Sequence, residues 1–201
     1  MRLGIFGGTF DPPHIGHLVL ASEAYYQLEL DKLLWVLTPY PPHKPNQQIA
    51  PLQHRIEMVQ AIVENEPNFE LSRVEIDRPP PHFAVDTVEI LGDKYPGVHL
   101  VYLLGGDSLR DLPLWRQAQK FVRLVDTLGV VHRPHASINL PALKRDLPGL
   151  SEKLRLIEAP LLQISSTDIR QRVRTNYPYR YLLPPMVYNI ILKRGLYTSL
   201  T

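Results

Sequence analysis

The chain has 201 residues, 44% of them hydrophobic and 21% charged, with a formal net charge of +2 and no cysteine. That length buries a core without staples, and the charge is too small for a nucleic-acid-wrapping or polybasic membrane surface. The lack of cysteine excludes disulfides, zinc–thiolate sites and cysteine nucleophiles, and no apolar stretch approaches the ~18 residues of a membrane span. Met1 to Phe6 has no signal architecture, so the expected compartment is the cytoplasm. The 20 prolines gather mainly in Pro39–Pro51, Pro79–Pro81 and near Pro184, where they punctuate loops.

In chain order, Leu3–Phe6 is a short apolar run ending at glycines, as a buried parallel strand ends. From Ile15 to Leu30, Leu18, Ala21, Ala24, Tyr25 and Leu28 recur at helical spacing. Lys32–Leu37 reads as a second strand, followed by a proline-rich loop to Pro51. A helix is expected over Leu52–Glu64, an extended segment over Phe69–Ile76 and a helix over Ala84–Lys94. His99–Leu104 is the most strand-like segment and again ends in glycines. Then come a helix over Gln117–Val125, a strand over Thr127–His132, a short helix over Pro141–Leu147 and a strand over Leu154–Ala159. Helices over Thr167–Val173 and Pro184–Lys193 close the chain. Alternating strands and helices predict an α/β fold: a Rossmann-like, doubly wound parallel sheet with helices on both faces. One domain is expected over 1–201, with a small helical portion over about 165–201. Ligands of such sheets bind beyond the carboxyl ends of the strands, so the turns after Phe6, Leu37, Leu104 and Ala159 are where to look.

The first of these turns carries Gly7-Gly8-Thr9-Phe10-Asp11-Pro12-Pro13-His14-Ile15-Gly16-His17. Paired glycines allow close approach of a ligand and positive φ. His14 and His17 lie three apart at a helix start, so their rings share a face. Gly16 between them removes a side chain where a ligand would clash. The helix N-terminus adds N–H groups and partial positive charge, a setting for phosphate. The spacing fits neither the dinucleotide fingerprint nor a P-loop. No third ligand stands at metal spacing from the two histidines, so no metal site is expected. The bland alternative is a tight turn with one capping histidine.

This segment resembles the signature of the nucleotidyltransferases related to class I aminoacyl-tRNA synthetases, where a His-x-Gly-His pair holds the ATP phosphates. The family's second motif, Ser-Ser-Thr-x-x-Arg, is matched about 150 residues later by Ile164-Ser165-Ser166-Thr167-Asp168-Ile169-Arg170. Physically, Ser165 or Ser166 can cap the following helix, with Asp168 in its first turn. Arg170 offers a forked guanidinium to the leaving pyrophosphate. The resemblance runs over nearly the whole chain and is greatest to the bacterial nicotinate (nicotinamide) mononucleotide adenylyltransferases.

That resemblance implies adenylyl transfer from ATP, carried with Mg²⁺, to a pyridine mononucleotide. It implies ATP contacts from Gly7, Gly8, Thr9, Phe10, His14, Gly16, His17, Gly105, Asp107, Ile164, Ser165, Ser166, Thr167 and Arg170, with Asp107 accepting from ribose hydroxyls. The catalytic charges would be His14, His17, Lys44 and Arg170. Lys44, in Pro41-Pro42-His43-Lys44, Phe83, Thr87 and Trp115 would hold the acceptor, the tryptophan by stacking on the pyridine ring. Val131-His132-Arg133-Pro134 resembles a family segment flanking adenine. Trp35, inside an apolar strand, belongs to the core. One segment departs: where relatives read Ser-Tyr-Thr, this chain has His82-Phe83-Ala84. Phe83 keeps the ring but the hydroxyls of Tyr and Thr are lost, leaving backbone N–H groups near Thr87 to hold a carboxylate. A different acceptor such as phosphopantetheine, cytidylyl transfer, or a non-catalytic nucleotide-binding module are the competing readings.

Overall fold

In the computed structural model, residues 1–41, 48–131 and 139–198 are described. Six strands form a single all-parallel sheet: β1 (Arg2–Gly8), β2 (Lys32–Leu37), β3 (Phe69–Ser72), β4 (His99–Gly105), β5 (Thr127–Val131) and β6 (Leu154–Ile157). Their order across the sheet is β3-β2-β1-β4-β5-β6. The order reverses between β1 and β4, and the crevice above that pair is where open α/β sheets bind ligands.

Strand alternation builds the two cores. In β2, Leu33, Trp35 and Leu37 face one layer, while Leu34 and Val36 face the other. In β4, Val101 and Leu103 join the first layer, and Leu100, Tyr102 and Leu104 the second. A period of two on strands buried on both faces leaves no polar side, hence the continuous apolar runs. The first layer is covered by α1 (Ile15–Gln27), α2 (Leu52–Val63), α8 (Ser166–Arg174) and α9 (Pro185–Arg194). The second is covered by α3 (Ala84–Lys94), α4 (Gly106–Arg110), α5 (Ala118–Leu124), α6 (Leu140–Asp146) and α7 (Leu150–Lys153). Trp35 is fully buried in the first layer, as its apolar setting predicts.

Several boundaries differ from the sequence expectation. β1 runs on through Gly7 and Gly8, because both pair in register with Val36 and Leu37. β3 stops at Ser72, short of Ile76. An edge strand has one neighbour, and past Val36 the chain turns through Arg73–Asp77, closed by the Asp77 N–H donating to the Arg73 carbonyl at 2.9 Å. α1 ends at Gln27, three residues early. The helices α4 and α7 and a 3₁₀ turn over Leu112–Leu114 lie where none was expected. Among the described residues no helix is long and apolar enough to cross a membrane.

Candidate active site

The loop after β1 is held by its aromatic residue. Phe10 adopts a left-handed backbone (φ 48°), which costs a bulky residue roughly 1–2 kcal/mol. Its ring is almost fully buried, 5.4 Å from Phe6, 5.0 Å from Trp35 and 5.3 Å from His17 between centroids. Burying that ring contributes about 2–3 kcal/mol and offsets the strain. The role of Gly8 follows, because a Cβ there would come within 2.8 Å of the Phe10 ring. At Gly7 a Cβ would come within 3.0 Å of the Tyr102 hydroxyl. Neither glycine has the positive φ expected of it; as strand residues they are chosen for room, and the left-handed turn falls at Phe10.

His14 is the N-cap of α1, with extended backbone. Its N–H donates to Nδ1 of His17 at 3.1 Å, and the two rings lie 3.7 Å apart at 34°. A ring nitrogen that accepts from the backbone carries no proton, so neutral His17 holds its proton on Nε2. Gly16 was expected to spare a ligand a clash. A Cβ at Gly16 would meet the His14 imidazole at 3.1 Å, so this glycine also seats the histidine.

The second motif folds onto the first. Ser165 caps α8, its Oγ accepting from the Asp168 N–H at 3.0 Å. The Ser166 hydroxyl donates to the Pro12 carbonyl at 2.9 Å. Arg170 donates through Nη1 to the Asp11 carbonyl at 2.7 Å, lies 3.6 Å from the Asp11 carboxylate, and reaches Thr167 Oγ1 at 3.3 Å. The fork expected to face pyrophosphate thus also ties the two motifs together.

Asp11 is the hub of this junction and was not singled out by sequence. It is 3% exposed. Its Oδ1 accepts from the Tyr197 hydroxyl at 2.7 Å and from the Ala50 N–H at 3.2 Å. Beside it, buried Arg55 donates to the carbonyls of Ala50 (3.0 Å), Thr9 (3.1 Å), Thr38 (2.9 Å) and Pro39 (2.7 Å). It joins the loops after β1 and β2. Burial draws its pKa down, against the raising effect of the Asp11 charge.

Two tyrosines near this crevice make a pH prediction. Burial, first of all, holds the phenol protons of Tyr102 and Tyr197 well above the ordinary range; the charges of Glu75 and Asp11 add to it. Above about pH 10 the unfolded chain loses these protons and the folded chain keeps them. The folded state then binds more protons, so stability falls as pH rises. Urea midpoints should drop as pH rises above about 10, and less steeply in Tyr197→Phe.

On the other side of β1 lies a cavity of about 270 Å³. Gly7, Gly8 and Thr9 form one wall and Leu104 and Gly105 another; Trp115, Phe83 and the first turn of α3 complete it. Trp115 is braced against Phe121 at 5.3 Å. A Cβ at Gly105 would meet nothing within 4 Å, so this glycine borders open space. Arg116, absent from the sequence reading, lines the cavity too and lies 4.9 Å over the Phe83 ring; a lone arginine after Trp115 carries no signal by itself.

Other expected residues stand elsewhere. Thr87 is buried behind the wall, its hydroxyl donating to Glu75 Oε1 at 2.6 Å and its N–H to the Phe83 carbonyl at 3.2 Å. The N–H groups that the first turn of α3 leaves without intrahelical partners are those of Ala84 and Val85. Asp107 is exposed and paired with Arg110 at 3.0 Å. Lys44, and His132, Arg133 and Pro134, lie outside the described residues. Among the described residues, no group of three or more His, Asp or Glu is arranged to hold a metal ion.

A parallel sheet with a phosphate-type helix start at its order reversal, and a cavity beside it, defines a nucleotide-binding α/β protein. The family model described as Cytidylyltransferase-like matches residues 5–172. The nicotinate-nucleotide adenylyltransferase of Bacillus subtilis (strain 168) is 36% identical over 98% of this chain and 99% of its own. A probable nicotinate-nucleotide adenylyltransferase of Roseiflexus sp. (strain RS-1) is 45% identical over 97% of both. The Plasmodium falciparum nicotinic acid mononucleotide adenylyltransferase, solved in complex with NaAD, superposes with a TM-score of 0.82 at 20% identity, covering 100% of this chain and 99% of that one. The same enzyme complexed with APC gives 0.81, with the same coverage. The chain belongs to the cytidylyltransferase-like family and, within it, to the nicotinate-nucleotide adenylyltransferases.

Proposed function

We propose that the protein transfers the adenylyl group of Mg-ATP to the 5′-phosphate of nicotinate mononucleotide, forming deamido-NAD and pyrophosphate. One observation carries this reading: the two phosphate-type helix starts, α1 and α8, meet through Arg170 and Asp11 beside a cavity lined by Trp115 and the start of α3. ATP phosphates lie along Gly7–His17 and Ser165–Arg170, on the first layer's side of β1. The pyridine ring lies against Trp115 on the second layer's side, its carboxylate toward the N–H groups of Ala84 and Val85. Lys44 adds positive charge from the proline-rich loop, and Mg²⁺ arrives with ATP as part of the substrate. Residues 1–201 act as one catalytic unit, and a cytoplasmic setting suits a consumer of ATP.

A phosphate monoester has a second pKa near 6 and is largely dianionic at neutral pH, so the nucleophile needs no general base. Its oxygen attacks the α-phosphorus in line, the α–β bridging bond breaks, and pyrophosphate leaves with Mg²⁺. The protein's part is positioning and charge neutralisation. The Nε2–H of His17 and the guanidinium of Arg170 meet charge that grows on the α-phosphate and the leaving group.

The test is pyrophosphate release from Mg-ATP with nicotinate mononucleotide, nicotinamide mononucleotide and phosphopantetheine in parallel. Release with the nicotinate acceptor is expected. Release with phosphopantetheine alone would overturn the acceptor, and no release with any would leave a binding module.

A further inference from the structure

His82 lies immediately before the N-cap of α3, and it lines the cavity. The residue is only 4% exposed. Neither ring nitrogen has a hydrogen-bond partner. Its ring lies nearly parallel to Tyr40 (17°, centroids 6.3 Å apart), which leaves both nitrogens unused. A histidine buried for packing alone normally satisfies its nitrogens, because an unmade polar group away from water costs free energy. A ligand in the cavity that His82 lines could supply the missing partner.

Burial, with the Arg78 charge adding to it, lowers the imidazole's pKa, so the ring is neutral near pH 7 with one donor and one acceptor. The same rim carries the N–H groups of Ala84 and Val85, all donors. Glu75, a carboxylate in the wall, accepts from Thr87 through Oε1 at 2.6 Å and faces Arg78 at 3.7 Å; its Oε2 has no partner, and burial raises its pKa. The donors on this rim, the imidazole N–H and the two backbone N–H groups, favour a group that only accepts, a carboxylate over a carboxamide.

We propose that His82 is a specificity-determining residue, donating a hydrogen bond to the 3-carboxylate of the pyridine acceptor. The inference rests on the acceptor proposed above and assigns a share of its recognition to this side chain. It replaces the hydroxyls lost at positions 82–84 with an imidazole N–H.

The experiment compares kcat and KM for nicotinate and nicotinamide mononucleotides at saturating Mg-ATP in wild type, His82→Ala and His82→Asn. His82→Ala should raise KM for the nicotinate acceptor about tenfold or more, the loss expected of a bond to a charged group. KM for ATP should change less than about twofold, and His82→Asn, which keeps an N–H donor, should recover part of the preference. Melting temperatures identify any variant that fails to fold, and calorimetric titration of His82→Asn with nicotinate mononucleotide alone then carries the test. An active wild type whose variants keep its preference for the acid, or lose both acceptors equally, would overturn the role of His82. A wild type inactive on both acceptors would overturn the acceptor reading itself.

Discussion

Replacing His17 by glutamine is expected to lower kcat by two to three orders of magnitude (about 2.7–4 kcal/mol), while the melting temperature stays within about 2 °C of wild type. The choice of glutamine separates two jobs of this side chain. The Nδ1 of His17 accepts the His14 N–H, which ties down the start of α1. Glutamine at the third helical position makes the same reciprocal cap, so that structural task survives. What disappears is the Nε2–H, the donor proposed to meet the phosphate. His17→Ala removes both and should lose about 1 kcal/mol of stability as well. Pyrophosphate release under single-turnover conditions reads the chemical step. Full turnover by His17→Gln would remove His17 from catalysis and leave it a capping residue.

Where punctuation was sharp, the fold was legible to the residue. β2 lies between Asp31 and Thr38-Pro39, and α3 between Phe83 and Tyr95-Pro96-Gly97, and both elements have the bounds their sequences imply. α4, α7 and the 3₁₀ turn at Leu112–Leu114 were not, since elements of three to five residues are too short to show a period. The motif loops were legible because their backbone needs unusual residues: glycine beside Phe10, proline after Asp11, glycine beside His14. Asp11, Arg55 and Tyr197 were not. Apart from Ala50 for Arg55, their partners lie 16 to 186 residues away along the chain, and no local pattern announces such a bond. Arg55 reads as an ordinary polar position on the amphipathic α2, although it is buried. His82 could be noticed only as a departure, and its two unpartnered nitrogens needed coordinates to be seen.

The placement of Arg55 also explains how a sheet edge becomes a site. The loops after β1 and β2 emerge side by side, each with carbonyls that the sheet no longer pairs. The guanidinium gathers four of them, from Thr9, Thr38, Pro39 and Ala50, at 2.7–3.1 Å. Of these, Thr9 and Thr38 also line the cavity. An arginine suits this position because its planar fork reaches several acceptors at once, whereas a lysine has one nitrogen.

Arg55→Met should therefore cost about 3–5 kcal/mol of stability, a fall of roughly 10 °C in melting temperature for a chain of this size. Methionine fills much of the volume, so the cost arises from four buried carbonyls left short of a donor and from Asp11 losing a nearby positive charge. Arg55→Lys should recover only part of the loss, since its single nitrogen cannot span the four acceptors. The effect reaches catalysis through position: with the two loops uncoupled, KM for ATP and for the acceptor should both rise, even at temperatures where the variant is folded. Differential scanning calorimetry and steady-state kinetics on the same samples check the two halves. Equal stability of Arg55→Met and wild type would mean that water or a shifted loop satisfies those carbonyls, and that this buried cation does not organise the site.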